Sequence, residues 1–169
     1  MGDVLPDFET ARLMLRPRTA ADMTACFAMD RDPEVTRFIP GPWADLAEHR
    51  AFFEASTHAV YPSGMGYWSV LEADHFIGGI QLAPLDRHGP EIEIGWRFIR
   101  AAWGRGYATE ALRPVLKYAM RTLKVLEIVA DIDPANAASV RVAHKLGFRV
   151  LRSVEYACRS FDRYVVASK

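Results

Sequence analysis

The feature that most constrains the fold is Ala101-Ala102-Trp103-Gly104-Arg105-Gly106-Tyr107-Ala108, which separates an apolar strand end from a long amphipathic stretch. Ala108, Ala111, Leu112, Val115, Leu116, Ala119 and Leu123 recur at three- and four-residue spacing, which predicts a helix over 104–122 with one face on a core. Pro114 lies inside that span and removes one backbone donor, so a bend is expected there. A strand that turns through two glycines into a helix aims unpaired N–H groups and the positive end of the helix dipole at the turn. Gly104 and Gly106 let the backbone approach an anion, and Arg105 can add a charge-assisted contact. A tight turn that needs glycine for geometry alone has the same spelling. Two other phosphate motifs are excluded. There is no Gly-x-x-x-x-Gly-Lys-Ser/Thr, and the turn has neither the third glycine nor the early position of a dinucleotide fingerprint.

The rest of the chain supplies one mixed α/β domain over 1–169. Arg12-Leu13-Met14-Leu15-Arg16 reads as a first strand stopped by Pro17. A helix is expected from Thr19, with Asp22 in its first turn and Met23, Phe27 and Ala28 on one face. Asp32-Pro33-Glu34 starts a second, short helix that Pro40-Gly41-Pro42 cannot continue. A third, over 44–58, carries Leu46, Phe52, Phe53 and Ala55 as its apolar stripe, with His49 and Arg50 assigned to a solvated face and the border of the acceptor cleft as their alternative place. Strands over 67–71 and 76–82 flank Glu72-Ala73-Asp74-His75 as a hairpin, and Arg87-His88-Gly89-Pro90 makes the next turn. A central strand follows over 91–99, in which Gly95 marks a bulge or a close approach of backbone. A buried strand over 127–132, a helix over 136–146 between the cap Asn136 and the stop Gly147, and strands over 148–151 and 163–166 complete the order.

Charge narrows the function classes. Lys plus Arg and Asp plus Glu are both 21, so the formal charge is zero and a strong basic field for nucleic acid is excluded. Cys26 and Cys158 lack metal or Cys-x-x-Cys spacing, and the five histidines are scattered, so no metal site is implied. No apolar run approaches the ~20 residues of a membrane span. The opening residues lack the basic-then-apolar pattern of a signal peptide, so the expected compartment is the cytoplasm.

Four blocks in order resemble the signature of GNAT N-acetyltransferases: Glu93-Ile94-Gly95-Trp96, Trp103 to Ala111 through the glycine turn, Asn136-Ala137-Ala138-Ser139, and Lys145-Leu146-Gly147-Phe148. With Thr10 to Arg16, which resembles the opening strand of the RimJ/RimL-like branch, the similarity covers nearly the whole chain. The resemblance implies a mostly antiparallel mixed sheet flanked by helices, and transfer of acetyl directly from acetyl-CoA to a primary amine. That branch favours a peptide or protein N-terminal α-amine; an amino acid, polyamine or antibiotic amine is the alternative, and an inactive acyl-CoA-binding module a further one. It assigns the pyrophosphate to Trp103, Gly104, Arg105, Gly106, Tyr107 and Ala108, although Ala101 stands where the family often has Gln or Arg. The segment Trp96, Phe98 and Ile99 is expected to pair with the pantetheine amides and to stabilise the oxyanion; core packing is the competing role of the Trp96 and Phe98 side chains. Glu93 is the candidate base, with Glu91 on the same strand face as its rival. Asn136 is expected on the pantetheine arm and Ser139 as a donor toward the sulfur or the cofactor's phosphates, although both also suit the first turn of a helix. Tyr156 is the rival acid. An exposed apolar edge near the final strands is expected to support a homodimer, as in related proteins.

Overall fold

The computed structural model describes residues 5–86 and 89–168. The turn assigned to Arg87-His88-Gly89-Pro90 therefore has its first two residues outside the described ones. The strands are β1 (Phe8–Glu9), β2 (Met14–Pro17), β3 (Gly66–Glu72), β4 (His75–Pro84), β5 (Ile92–Phe98), β6 (Glu127–Ile132), β7 (Arg149–Tyr156) and β8 (Arg159–Ala167). The helices are α1 (Met23–Asp30), α2 (Pro33–Thr36), α3 (Leu46–His58), α4 (Tyr107–Arg121) and α5 (Ala137–Lys145). The strands form one sheet in the order β1-β2-β3-β4-β5-β6-β8-β7. Every pairing is antiparallel except β5 with β6.

That single parallel pairing is short. β5 and β6 meet only at Ile92–Ile128 and Glu93–Val129, while β5 stays paired with β4 along its whole length. Beyond Glu93 the two strands part, leaving one edge of residues 94–98 unpaired.

Strand alternation sorts the sheet into two faces. Trp68, Val70, Ile80, Leu82 and Ile94 lie on one face and are fully buried with Ala111, Leu112 and Val115 of α4. The opposite face carries Tyr67, Ser69, Gly79, Gln81, Glu93, Gly95 and Arg97, and α1 and α3 lie over it. No bulge occurs at Gly95; the register with β4 is continuous there, and the one irregularity in these central pairings falls between Val70 and Leu71.

Helix α4 starts at Tyr107, three residues later than the periodicity suggests, because Gly104 and Gly106 take positive φ values of 74° and 79°. It runs unbroken through Pro114, where a bend was expected. Glu110 fastens its first turn to the sheet edge, accepting from the Thr10 hydroxyl at 2.7 Å, the Arg12 N–H at 3.0 Å and the Arg12 guanidinium.

Helices α1 and α3 bury other faces than their apolar residues suggest. On α1 Cys26, Met29 and Asp30 are buried, whereas Ala28 is exposed. On α3 the buried residues are His49, Phe53 and Ser56, with Leu46 53% and Phe52 42% exposed. The assignment of His49 to a solvated face is thus corrected: it is 1% exposed and its Nε2 lies 3.0 Å from Asp30 Oδ2. The reason is the polar face of the sheet, which rewards side chains that can hydrogen-bond over those that are merely apolar.

β7 and β8 are longer than expected because Ala157 and Cys158 adopt positive φ and close a tight hairpin without glycine. Leu112 tests the packing of α4 on the sheet. Leu112→Ala removes a fully buried side chain, and a loss of roughly 2–5 kcal/mol is expected from the denaturant midpoint. A loss under 1 kcal/mol would contradict this packing.

Candidate active site

Two cavities open along the gap between β5 and β6. The first, of about 410 Å³, is lined by Trp96, Phe98, Trp103, Gly104, Gly106, Tyr107, Ala108, Asn136 and Ser139, with Ala137 and Ala138 between the last two. The second, of about 290 Å³, lies over the polar face of the sheet and includes Glu93, Gly95, Asn136, Ser139 and Tyr156. Asn136, Ser139, Trp96 and Phe38 border both, so the cavities meet at the N-terminus of α5.

The first cavity is built from backbone. No side chain caps α4, and the first N–H of its opening turn to find an intrahelical carbonyl is that of Glu110, on Gly106. The earlier N–H groups are left to whatever occupies the cavity. A Cβ on Gly104 would meet nothing within 4 Å, so the surface there stays open, but its positive φ disfavours any other residue. The Trp103 indole N–H donates to Phe98 O at 2.9 Å and anchors the turn to the end of β5.

Strand alternation decides which β5 groups reach this cavity. Ile99 donates its N–H to Ile77 O at 2.9 Å, on the β4 side. The alternate residues Phe98, Trp96 and Ile94 therefore direct their N–H and C=O groups toward the unpaired edge. Ile99 itself is not brought to the cavity: its N–H is taken and it does not line the wall. The Arg105 side chain is also turned away, held by Glu72 at 3.2 Å and stacked 4.6 Å from the Tyr107 ring. Tyr107 is 1% exposed and its hydroxyl donates to Glu72.

Asn136 performs the capping role, its side-chain oxygen accepting the Ser139 N–H at 3.2 Å. That bond fixes the start of α5 and with it the Ser139 side chain at the meeting of the cavities.

In the second cavity the two carboxylates of β5 differ sharply. Glu91 accepts from Arg163 at 2.9 Å and Arg152 at 3.3 Å and does not line the cavity. Glu93 lines it, has no ion pair among the described residues, and is touched by the Gln81 side-chain amide at 3.3 Å. Burial raises the Glu93 carboxyl to about 7, the nearby Asp131 charge adding to the effect and Arg163 opposing it. Asp131 cannot take the same part, because Arg163 grips both its oxygens at 2.8 Å. Tyr156 is stacked on Phe161 at 4.3 Å, and burial, with the charges of Asp131 and Glu93, raises its phenol above the usual value.

Reading the sequence missed Arg18, Asp30, Tyr67 and Gln81, all of which line this cavity, as does His49, for which the border of the acceptor cleft was the alternative reading. For Tyr67 and Gln81 a signal existed: they lie opposite each other and next to Gly95 across three strands, a relation that the hairpin register would have exposed. Cys26 also borders it, but burial pushes its thiol up to about 11 and leaves it a poor nucleophile. No group of His, Cys, Asp and Glu among the described residues is arranged to hold a metal ion. No helix among them is long and apolar enough to cross a membrane.

Comparison with known proteins agrees with this architecture. The model of the acetyltransferase (GNAT) domain matches residues 12–149. The uncharacterized N-acetyltransferase YoaA of Bacillus subtilis is 31% identical over 159 residues, covering 90% of each chain. The FsC-acetyl coenzyme A-N(2)-transacetylase of Aspergillus fumigatus is 28% identical over 166 residues, 93% of this chain and 69% of that protein. Among solved structures, an acetyltransferase from Agrobacterium tumefaciens superposes with a TM-score of 0.79 at 27% identity, over 98% of this chain and 96% of that one. A fold whose sheet parts beside a glycine turn, a family model spanning most of the chain and these relatives agree: the chain belongs to the GNAT family of N-acetyltransferases.

Proposed function

We propose that this chain transfers acetyl from acetyl-CoA to a small primary amine, with the thiol-bearing substrate in the first cavity and the amine in the second. The observation that carries this reading is the meeting of the two cavities at Ser139, beside a strand edge with free N–H groups and a carboxyl poised near neutrality. The open glycine turn and the uncapped start of α4 suit a pyrophosphate. The aromatic wall of Phe38, Trp43 and Phe53 around the second cavity favours a small acceptor over the protein N-terminus suggested by the RimJ/RimL-like resemblance.

Acetyl-CoA supplies an activated thioester carbonyl. Glu93, ionised, takes the proton that the acceptor ammonium must lose before its nitrogen can attack. The N–H groups of Trp96 and Phe98, directed to the open edge, stabilise the negative charge that develops on the carbonyl oxygen. As the tetrahedral intermediate collapses and the C–S bond breaks, Ser139 or Tyr156 gives a proton to the departing sulfur and recovers one from the nitrogen that attacked. Ser139 has the better position, since it borders both cavities while Tyr156 borders only the acceptor side. The exposed Val150 and Leu151 on the edge strand β7 support a homodimer.

Saturating acetyl-CoA should raise the melting temperature, since ligand at ~100 times its dissociation constant stabilises the native state by ~2.7 kcal/mol. No shift at millimolar ligand would remove the basis of this reading, and a shift without thiol release on any amine would leave an acyl-CoA-binding module. The Glu93 assignment predicts that kcat/KM rises with pH through about 7, because the carboxylate is the active form, and that Glu93→Gln abolishes this limb. It also predicts an effect on stability. Between the ordinary carboxylate value and about 7 the folded chain keeps a proton that the unfolded chain releases. Stability therefore falls as pH rises through that window, and Glu93→Gln flattens the slope. Of Ser139→Ala and Tyr156→Phe, the first should lower kcat more, on the order of 10²-fold, with little change in acetyl-CoA affinity. The reverse ranking would transfer the acid role to Tyr156.

A further inference from the structure

The acceptor cavity contains one cation that no carboxylate among the described residues answers. Arg18 follows β2, and its N–H donates to Tyr67 O at 2.9 Å. Its guanidinium is sandwiched between the Tyr67 ring at 3.9 Å and the Phe53 ring at 4.7 Å. One terminal nitrogen donates to Ser56 Oγ at 2.6 Å, while its Nε is buried without a hydrogen-bond partner. No carboxylate among the described residues pairs with it.

Among the described residues, the other charged groups of the cavity except Glu93 are matched. Asp30 lies 2.8 Å from Arg97 and 3.0 Å from His49. Asp131 is held by Arg163, and Asp133 by Arg159 at 2.6 Å. Glu93 is close to half-neutral at pH 7. Burial disfavours the charged form of Arg18, and the neighbouring Arg97 adds repulsion. A guanidinium nevertheless keeps its proton in a protein, and an anion that enters the cavity would neutralise it.

We propose that Arg18 recognises an anionic group of the acceptor, and that the acceptor is a small amine carrying a carboxylate. This rests on the reading that the second cavity receives the amine. Tyr67, on which Arg18 stacks, lies opposite Gln81, which lies opposite Gly95, on the same sheet face as Glu93. An acceptor with its amine at Glu93 thus extends across two strands toward Arg18, a path on the order of 10 Å between backbones. Gly95 keeps that path clear, since its nearest neighbour to an added Cβ would be Gln81 Cβ at 4.0 Å. A single unmatched cation suits a monoanion. A polyamine would bring its second ammonium to Arg18, where no free carboxylate waits.

The test compares ω-amino acids of graded chain length with the matched amines that lack the carboxylate, following thiol release from acetyl-CoA. Wild type should prefer the carboxylate-bearing member of at least one pair by 10- to 100-fold in kcat/KM. Arg18→Gln should collapse that preference toward one, mainly through KM, with the acetyl-CoA melting shift unchanged; Arg18→Lys should retain part of it. Equal rates on both members of every pair, or equal losses on both in Arg18→Gln, would overturn the proposal. So would a preference for aminoalkyl phosphates over carboxylates. Calorimetric titration of the same amino acids gives a readout without turnover. Arg18-dependent binding in a chain that never releases thiol would uphold the anion site and reject acetyl transfer; absence of both binding and turnover would reject the anion site.

Discussion

The separation of β5 from β6 is the constraint on which the rest of the molecule depends. Two strands that pair through Ile92–Ile128 and Glu93–Val129 and then diverge leave a row of backbone groups without strand partners inside an otherwise continuous sheet. Buried amides must be satisfied, so such an edge is stable only if water or a ligand completes it. The pantetheine arm of the cofactor carries amides of the kind that can do so. The divergence also makes room for the start of α4, whose uncapped turn faces the same space. Glu93 stands at the last paired position, where the strand is held on both sides and the side chain is held with it.

The polar face of the sheet depends on pairing in turn. Arg16, Ser69 and Thr19 converge on Asp22; Arg97 and His49 converge on Asp30; Arg163 bridges Asp131 and Glu91. Each cluster ties elements distant in sequence, and each neutralises charges that burial would otherwise make costly. Among the described residues that border the acceptor cavity, Glu93 and Arg18 are left without an opposite charge. The proposed function rests on these exceptions to the pairing rule. A carboxyl without a cation rises toward neutrality and can exchange a proton; a guanidinium without a carboxylate waits for one.

Much of the site was legible because its parts are local. The glycine turn, the apolar row of α4 and the Asn136 cap each require residues within one or two helical turns, so spacing reveals them. The elements that misled were those whose environment is set from a distance. Helix α3 buries His49 and Ser56 in preference to Leu46 because the surface beneath it carries Asp30 and Arg18. The β7–β8 hairpin ran longer than expected because a turn through Ala157 and Cys158 gives no glycine signal. Arg105 looked like a phosphate ligand until Glu72, 33 residues earlier, proved to hold it.

The sequence by itself determined the order of the main elements, the position of the glycine turn and the family, because these follow from periodicity, backbone freedom and ordered motifs. Only the tertiary structure decided which of two identical carboxylates is free. Glu91 and Glu93 have the same chemistry and share a strand face; they differ because Arg163, brought over from β8, reaches one as an ion pair and acts on the other only through its distant charge. Proton affinity depends on burial and on charges within a few ångströms, and those distances exist only once remote segments have met.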